Sequence, residues 1–283
     1  MWQRSVEEHG FAIIPDVLAG EDISRLSGDL ADAQLRRSRA GVRHALRNPA
    51  VAGLAQDSRL LRIAKGVLGS KAFPFRATLF DKSPASNWLV VWHQDTALPL
   101  RNKQEVQGWG PWSVKDGVIY AHAPADALSQ VMALRVPLDD STAQNGPLRV
   151  LPATQTLGFL TDDEIHQLST QVSSVDCVVP RGGVLAMRPL IVHASSKSQS
   201  ESSRRVLHIE YAACELTADG LHLEVRIERC AILSQSIIIA CHSKEAVWLV
   251  SPVGKDRFVR IRVTKLCRLF FSLLDASNQL TNG

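Results

Sequence analysis

A series of short apolar runs separated by turn sequences fills the middle of this chain and leaves few folds open to it. Short runs of strand-forming residues bounded by turns predict β-strands. The predicted strands are 76–80, 88–95, 131–138, 148–151, 174–179, 184–187, 190–193 and 206–211. The turns that separate them include Ser83-Pro84, Asn145-Gly146-Pro147 and Pro180-Arg181-Gly182-Gly183. This pattern favours a mainly β fold, because many short strands close best into a sandwich or a barrel.

Three helices are predicted beside the strands. Residues 20–36 carry apolar side chains at helical spacing behind Glu21 and Asp22, and residues 57–68 do so ahead of Gly69. The third helix begins at Thr161, where Thr161-Asp162-Asp163-Glu164 forms a capping box. Since two helices precede most of the strands, we expect helices packed outside one sheet.

The bulk composition is that of an ordinary globule. The 283 residues, 45% hydrophobic and 21% charged, can bury one substantial core or one core with an appendage. No apolar window reaches the length of a membrane span, and the start of the chain is too polar for a secretory signal. The five cysteines form no C-x-x-C pair and are odd in number, which favours reduced, mostly buried thiols. A cytoplasmic protein without a membrane partner is therefore predicted.

The positive charge of the chain is concentrated at its C-terminal end. Residues 226–283 hold 9 Lys and Arg against 4 Asp and Glu, whereas residues 1–225 carry a net charge of −1. A nearly neutral body gives no charge support for nucleic-acid binding. The same change in composition predicts a domain over residues 1–225, followed by a segment over 226–283 whose role the sequence does not indicate.

Residues 96–130 fit neither the helical nor the strand period. A loop of this length inside a compact domain is usually functional, and often serves as a lid. Four of the six tryptophans fall between residues 88 and 112, namely Trp88, Trp92, Trp109 and Trp112. This aromatic density suits the wall of a pocket, although rings that only fill the core are an equally good interpretation.

Two histidines and an aspartate form the chemical centre of the sequence. His93 and Asp95 lie two residues apart in a predicted strand, so their side chains point to one face. Leu89 and Val91 should lie beneath them, with Trp88, Val90 and Trp92 on the opposite face. His193 ends a later apolar strand. Two imidazoles and one carboxylate hold non-haem Fe(II) and leave coordination positions open, although an isolated His-x-Asp pair or a lone histidine is more often structural.

Arg204 and Arg205 open the next strand, and alternation separates them. Arg205 shares a face with Leu207, Ile209 and Tyr211, which is the apolar face that helices should cover. Arg204 then shares the opposite face with His208 and Glu210, and points towards the metal ligands. Its planar guanidinium can hold a carboxylate with two hydrogen bonds. A structural salt bridge from Arg204 to Glu210 or Asp95 is the alternative.

Taken together, these motifs resemble the phytanoyl-CoA dioxygenase family of Fe(II)/2-oxoglutarate oxygenases. The resemblance rests on 10–18, on Trp92-His93-Gln94-Asp95, on Asn145-Gly146-Pro147-Leu148, and on His193-x-Ser195 followed by Arg204. It covers about residues 5–225 and implies a double-stranded β-helix, or jelly roll, with iron in its mouth. Pro152-Ala153-Thr154-Gln155 departs from the family's Pro-Gly-Ser/Thr-His, and the residues after about 225 match nothing in the pattern.

The resemblance also implies roles for individual residues. His93, Asp95 and His193 would bind Fe(II), and Arg204 with Ser195 would bind the far carboxylate of 2-oxoglutarate. Further contacts to this co-substrate are implied for residues on either side of the metal strand, namely Lys82, Trp109 and Trp112.

The expected reaction is O2-dependent hydroxylation of a small molecule, with release of succinate and CO2. Asp95 favours hydroxylation over halogenation, because iron halogenases of similar fold have a small residue in its place. Three alternatives stay open: a non-catalytic jelly-roll binding protein, a damaged family member, and a cupin-like metal isomerase or cysteine-type dioxygenase. Arg204 argues against the last pair, which need no dicarboxylate anchor. Neither the substrate nor the oligomeric state can be read from the sequence.

Overall fold

The computed structural model describes residues 1–32, 41–215, 217 and 220–225, and two short strands at 246–249 and 259–262. The chain divides into two compact units, Met1–Glu228 and Arg229–Gly283. In the second unit, β14 (Ala246–Leu249) and β15 (Val259–Arg262) pair antiparallel. The rest of the predicted C-terminal segment lies outside the described residues.

The first unit contains six α-helices and thirteen strands among its described residues. The helices are α1 Trp2–His9, α2 Gly20–Asp32, α3 Pro49–Ala55, α4 Ser58–Leu68, α5 Ala125–Ser129 and α6 Asp162–Gln171. The strands are β1 Phe11–Ile14, β2 Gly41–Val42, β3 Phe73–Lys82, β4 Val90–His93, β5 Ala97–Leu100, β6 Trp112–Lys115, β7 Val118–His122, β8 Val131–Pro137, β9 Leu148–Val150, β10 Val175–Cys177, β11 Val184–Met187, β12 His193–Ser195 and β13 Arg204–Ala212.

The predicted helices are present, with bounds that their caps explain. Asp57 accepts a hydrogen bond from the Arg59 amide at the start of α4, and Gly69 ends that helix. The Thr161 capping box is formed at the start of α6. The helix predicted over 20–36 is described as far as Asp32, and its remaining predicted residues lie outside the described part of the chain.

A six-stranded antiparallel sheet in the order β1-β11-β8-β13-β3-β2 forms the back of the fold. Its outer face is covered by α1 to α4, as the order of helices and strands predicts. Val6, Ile23 and Leu60 from three of these helices join Leu207 and Ile209 of β13 in the largest hydrophobic cluster. This packing confirms the predicted assignment of the apolar face of β13 to the helix-covered side.

A four-stranded antiparallel sheet in the order β10-β9-β12-β4 lies against the other face. Ala133, Leu185 and Met187 of the large sheet pack against Leu148 and Val150 of the small sheet in one buried cluster. At the other end of this sandwich the two sheets enclose a cavity of about 390 Å³. Among the helices of the described residues, none has the length and apolar content needed to cross a bilayer.

Residues 96–130 do not form the predicted long loop. β5, β7 and β6 make a three-stranded antiparallel sheet there, and α5 follows it. These strands are only four or five residues long. Pro99 lies inside β5, and Pro111 and Gly117 lie directly before β6 and β7, so no run of alternating residues is long enough to predict a strand. The apolar run 190–193 was also misassigned, since the strand there is β12 and begins at His193.

The two cysteines among the described residues are free thiols. Cys177 is buried, and burial raises the pKa of its thiol to about 12, whereas Cys214 is exposed. Both agree with the predicted reduced state, but Cys214 is not buried. The other three cysteines lie outside the described residues.

Candidate metal centre

A β-bulge at the edge of the small sheet sets the direction of His93. β4 pairs with β12 so that His193 lies opposite His93, and Ser195 lies opposite Val90. An advance of two residues along β12 therefore corresponds to three residues along β4. The additional residue in β4 forms a β-bulge. As a result Val90 and His93 both line the cavity, although simple alternation would put them on opposite faces.

The bulge corrects the predicted faces of this strand. Leu89 and Val91, expected beneath His93, are 57% and 68% exposed. Trp88 and Val90, expected on the far face, line the cavity instead. Trp92 packs on the cluster beneath α6. A bulge has no reliable sequence signal here, so the sequence could place His93 near the metal but could not orient its neighbours.

Both histidines are oriented in the same way by the backbone. Nδ1 of His93 lies 2.8 Å from the carbonyl oxygen of Val91, and Nδ1 of His193 lies 2.8 Å from that of Ile191. Because a carbonyl oxygen only accepts, each Nδ1 donates its hydrogen. Each neutral ring then carries its lone pair on Nε2, which points into the cavity, and this is the tautomer that a metal ligand requires.

Asp95 completes the group from just beyond the end of β4. Its amide donates to the carbonyl oxygen of Pro189 (2.9 Å). Its carboxylate oxygens lie 3.8 Å from Nε2 of His93 and 3.6 Å from Nε2 of His193. The three ligand atoms all lie within 4.8 Å of one another. The structure therefore brings the three predicted ligands together in one cavity.

Gln94, between two of these residues, holds the end of the strand in place. Its amide nitrogen donates to the carbonyl oxygens of Gly158 and Leu190, and its amide oxygen accepts from the Leu160 amide. No sequence pattern indicates this role of Gln94. Its three hydrogen bonds tie the segment before α6 and the segment before β12 to the turn that carries Asp95.

The protonation states at this centre follow from burial and nearby charge. Burial lowers the pKa of His193 to about 4, with a smaller contribution from His93, so its ring is neutral at pH 7. Burial alone would raise the pKa of Asp95, but His193, His208 and Arg76 help to hold it below its ordinary value. The centre is thus a deprotonated carboxylate between two imidazoles, and it fits a divalent cation of the Fe(II) type.

A second polar group lies at the inner end of the cavity. Lys82 is 1% exposed, and its Nζ donates to Oγ of Ser195 (2.8 Å) and to the Ser196 carbonyl oxygen. Ser195 Oγ in turn donates to the carbonyl oxygen of Gly146 (2.9 Å). Nε of Arg204 donates to the carbonyl oxygen of Asn145 (3.0 Å). Lys82, Ser195 and Arg204 therefore meet at one place, as the family resemblance implies.

Gly146 makes this arrangement possible. Its φ is +66°, and a Cβ added there would lie 2.4 Å from the carbonyl oxygen of Ser196 and 3.3 Å from Nζ of Lys82. Asn145 fixes the same turn, since its side chain accepts from the Thr142 amide and donates to the Asp140 carbonyl oxygen. The Asn-Gly sequence is therefore required by both the backbone conformation and the approach of the ammonium group.

Arg204 and Arg205 separate as alternation predicts. Arg204 is 5% exposed and lines the cavity. Arg205 is bound on the other face by Asp139, through two side-chain hydrogen bonds of 2.9 and 2.7 Å. The alternative for Arg204, a salt bridge to Glu210 or Asp95, is not formed, because Glu210 pairs with Arg76 and Asp95 faces the histidines.

Several cavity residues were missed or only half recognised in the sequence. Arg76 of β3 pairs with Glu210 of β13, and Nη1 of Arg135 in β8 donates to Nδ1 of His208 (3.0 Å). Burial, with Arg135 nearby, keeps the pKa of His208 well below its ordinary value. The alternation of β13 placed His208 and Glu210 on the cavity face, but Arg76 and Arg135 carry no comparable signal.

Trp109 and Trp112 do not lie where the sequence suggested. Both pack in the hydrophobic cluster of the three-stranded sheet, Trp109 as a buried member and Trp112 against its edge. Neither lines the cavity. The tryptophan that lines it is Trp88, whose ring centre lies 5.4 Å from Nζ of Lys82. The core-filling interpretation therefore holds for these two rings, and the implied contact with a co-substrate is not supported.

The departure at Pro152-Ala153-Thr154-Gln155 has a structural counterpart. Ala153 adopts a left-handed conformation with φ +66°, where the family has glycine. Gln155 replaces a histidine that was not an implied ligand, and its side chain donates to the Glu7 carbonyl oxygen at the end of α1 (3.1 Å). The change therefore strains one residue and fastens the N-terminal helix, while the three metal-facing residues stay in place.

Comparison with known proteins matches this geometry. The family model described as Phytanoyl-CoA dioxygenase (PhyH) matches residues 6–206. L-proline trans-4-hydroxylase of Streptomyces griseoviridis is 28% identical in an alignment of 192 positions, which covers 59% of this chain and 60% of that protein. The match thus spans about three-fifths of the length of this curated relative.

Solved structures share the fold at low sequence identity. AviO1 of Streptomyces viridochromogenes Tue57 superposes with a TM-score of 0.55 at 23% identity, over 75% of this chain and 93% of that chain. EctD of S. alaskensis, solved with 2-oxoglutarate and 5-hydroxyectoine, gives 0.58 at 17% over 74% of each chain. The non-haem epimerase SnoN from nogalamycin biosynthesis gives 0.56 at 17%, over 92% of this chain and 97% of that chain.

These matches confirm the double-stranded β-helix that the family resemblance implied. The family model covers the helices that precede the sheets, both histidines, Asp95 and Arg204. This chain belongs to the phytanoyl-CoA dioxygenase family.

Proposed function

We propose that this protein is a non-haem Fe(II)- and 2-oxoglutarate-dependent dioxygenase that hydroxylates a small molecule and releases succinate and CO2. One observation carries the proposal. A single cavity places two Nε2 atoms and a carboxylate within 4.8 Å of one another, and also holds Lys82, Ser195 and Arg204. The first set suits Fe(II), and the second suits the far carboxylate of 2-oxoglutarate.

His93, Asp95 and His193 would hold the metal. The two histidines are fixed as Nε2 ligands by their Nδ1 hydrogen bonds, and Asp95 supplies the negative charge. When bound, iron supplies the chemistry that couples O2 consumption and oxidative decarboxylation of 2-oxoglutarate to hydroxylation of a C–H bond. The protein contributes the position of the ligands, of which His193 is buried while His93 and Asp95 are about one-third exposed towards the cavity mouth.

Lys82, Arg204 and Ser195 would hold the far carboxylate of the co-substrate. Both cations are buried, and Arg204 disfavours the charge of Lys82. Burial and Arg135 lower the pKa of Arg204 to about 10. A buried cation without an anion is unfavourable, so a bound carboxylate would relieve this repulsion and gain charge-assisted hydrogen bonds.

The relatives support the reaction class and leave the substrate open. The curated relative is named as a hydroxylase of L-proline, and two of the solved structures are described with 2-oxoglutarate or as dependent on it. Asp95 occupies the position where a small residue would favour halogenation, so hydroxylation is proposed. A non-catalytic binding protein of the same fold is the alternative that the experiment below distinguishes.

Anaerobic titration of the purified protein with Fe(II), and then with 2-oxoglutarate, tests the proposal. We expect a weak visible charge-transfer band that requires both additions and is lost in His193→Ala. The matched control is His166→Ala, because His166 is an exposed helix residue outside the cavity. Absence of the band from folded, iron-loaded protein would favour the non-catalytic alternative.

The affinity for 2-oxoglutarate should depend on pH through Lys82. Burial, Arg204 and Arg135 lower the pKa of Lys82 to about 8. A bound carboxylate favours the ammonium form and raises this pKa. Affinity should therefore be constant below pH 8 and fall above it, by up to about tenfold per pH unit.

Calorimetric titration of Ni(II)-loaded protein between about pH 6.5 and 9.5 measures this dependence. Lys82→Gln should bind 2-oxoglutarate weakly throughout and show no decrease that begins near pH 8. Persistence of the same decrease in Lys82→Gln would assign it to another group.

We also propose that residues 1–225 form the catalytic domain and that 226–283 are a separate segment. The family match ends at residue 206, and the first compact unit ends at Glu228, which is consistent with a boundary near residue 225. A cytoplasmic location and the lack of nucleic-acid and membrane partners remain predictions. Localisation of a tagged full-length chain tests the first.

A further inference from the structure

Six basic side chains line the cavity, and they form two groups. Lys82, Arg135 and Arg204 lie at the inner end, while Arg43, Arg76 and Lys115 lie at the outer end. The pKa shifts follow the same division, since Lys82 is influenced by Arg204 and Arg135, and Lys115 by Arg43 and Arg76. The proposed function uses the inner group and leaves the outer group without a role.

The two groups are separated along β3. Arg76 and Lys82 are six residues apart on that strand, which corresponds to about 20 Å at the usual rise per residue. The candidate metal ligands lie beside the middle of this span, because Asp95 is influenced by Arg76 and by His208, which pairs with Thr78 between Arg76 and Lys82 on β3. A molecule held at the outer end could therefore extend to the metal without displacing the co-substrate.

Arg76 is held in a largely buried ion pair, whereas Arg43 has an exposed ion pair and Lys115 has no ion-pair partner among the described residues. Arg76 binds Glu210 and donates to the carbonyl oxygen of Ala97 (3.0 Å). Arg43 has a contact of 3.6 Å with Asp116, in which both side chains are about half exposed. Within the described part of the chain, no carboxylate lies within ion-pair distance of Lys115, whose Nζ is 5.3 Å from the centre of the Tyr120 ring.

The β6–β7 hairpin fixes the position of Lys115. Asp116 and Gly117 have φ values of +51° and +74°, which is the conformation of a tight hairpin turn. Lys115 is the last residue of β6, directly before this turn, and Tyr120 lies on β7 opposite Ser113. The outer group is therefore presented by a short ordered sheet, in the region where the sequence predicted a loop.

The charges in the cavity do not balance. Against six basic side chains, the lining residues include two carboxylates, Asp95 and Glu210. Fe(II) and 2-oxoglutarate carry opposite charges of equal size, so loading the site with both leaves the excess unchanged. With histidines counted as neutral, the loaded cavity keeps a formal excess of four positive charges, or three when Asp116, which contacts Arg43 from outside the lining, is counted.

We propose that the substrate is an anionic small molecule, and that Arg43 and Lys115 bind its carboxylate or phosphate group at the outer end of the cavity, beside Tyr120. The inference rests on the proposed function, because it assigns the inner cations to the co-substrate. The anionic group is held away from the metal, so the C–H bond that reacts belongs to another part of the same molecule.

Calorimetric titration of the full chain, loaded with Ni(II) and saturating 2-oxoglutarate, tests this inference without turnover. The probes are acetate and benzoate, each compared with its own amide, and inorganic phosphate compared with trimethyl phosphate. We expect at least one acid or phosphate to bind tenfold or more tightly than its neutral partner. If no charged probe binds more tightly than its neutral partner, the inference is wrong. The probe that binds distinguishes a carboxylate site from a phosphate site.

Two double variants locate the site. Arg43→Gln with Lys115→Gln should weaken binding of the charged probe at least tenfold and leave its neutral partner unchanged. Arg101→Gln with Lys103→Gln removes two basic side chains outside the cavity and should change neither. Equal binding by the first double variant and the parent protein would overturn the assignment. Titration with 2-oxoglutarate alone is recorded separately, and its failure contradicts the proposed function itself.

Discussion

Replacing Asp95 with alanine should abolish both iron retention and turnover. The change removes the negative charge between two imidazoles that the backbone already holds in the Nε2 orientation. A bound metal contributes several kcal/mol of stabilisation to its reaction, so loss of the metal should lower turnover on the order of 10³-fold or more. Metal content after gel filtration and succinate release from 2-oxoglutarate are the two measurements.

Asp176→Ala is the matched control, because Asp176 is an exposed strand residue outside the cavity. It should retain both iron and turnover. The Asp95 variant should also remain folded, since burial would favour a neutral residue at that position. Full decarboxylation of 2-oxoglutarate by Asp95→Ala would show that the metal is held elsewhere.

Replacing Arg204 with alanine should raise the concentration of 2-oxoglutarate needed for half-maximal activity by roughly 30-fold or more. Truncating one partner of a buried, hydrogen-bonded charge pair typically costs about 2–5 kcal/mol. Arg204 is buried and has no acidic partner among the described residues, so the co-substrate would be its partner. The apparent KM for 2-oxoglutarate at saturating iron measures this effect.

Arg205→Ala is the adjacent control for that experiment. Arg205 binds Asp139 on the opposite face of β13, so its loss should affect stability by about 1 kcal/mol or less and leave the apparent KM unchanged. Comparable increases in KM for the two variants would contradict the separation of the two faces. Thermal unfolding of both variants separates an effect on stability from one on binding.

The regular parts of the fold could be predicted because their periods extend over enough residues. β13 runs for nine residues, and its alternation assigned Arg204, His208 and Glu210 to the cavity and Leu207, Ile209 and Tyr211 to the core. The capping box at Thr161 likewise predicted where α6 begins. Local rules work at these positions because the sequence pattern and the tertiary packing demand the same residue types.

The cavity walls could not be predicted, because they depend on irregular or distant pairing. The bulge in β4 exposed Leu89 and turned Val90 inwards, against the expected alternation. The pairing of Arg76 with Glu210 joins residues that are far apart in sequence, and no local pattern indicates it. The density of tryptophans around Trp109 is equally typical of a pocket wall and of a small core, and only the structure places this ring in a core.

The bulge in β4 also has a consequence for how this molecule meets other chains. Among the described residues β4 is the last strand of its sheet, and edge strands expose backbone groups that can pair with another protein. Leu89 and Val91 would add an apolar surface to a straight edge of this kind. A bulged edge is a poor template for a neighbouring strand, so the irregularity that aims a candidate iron ligand also protects the protein against edge-to-edge aggregation.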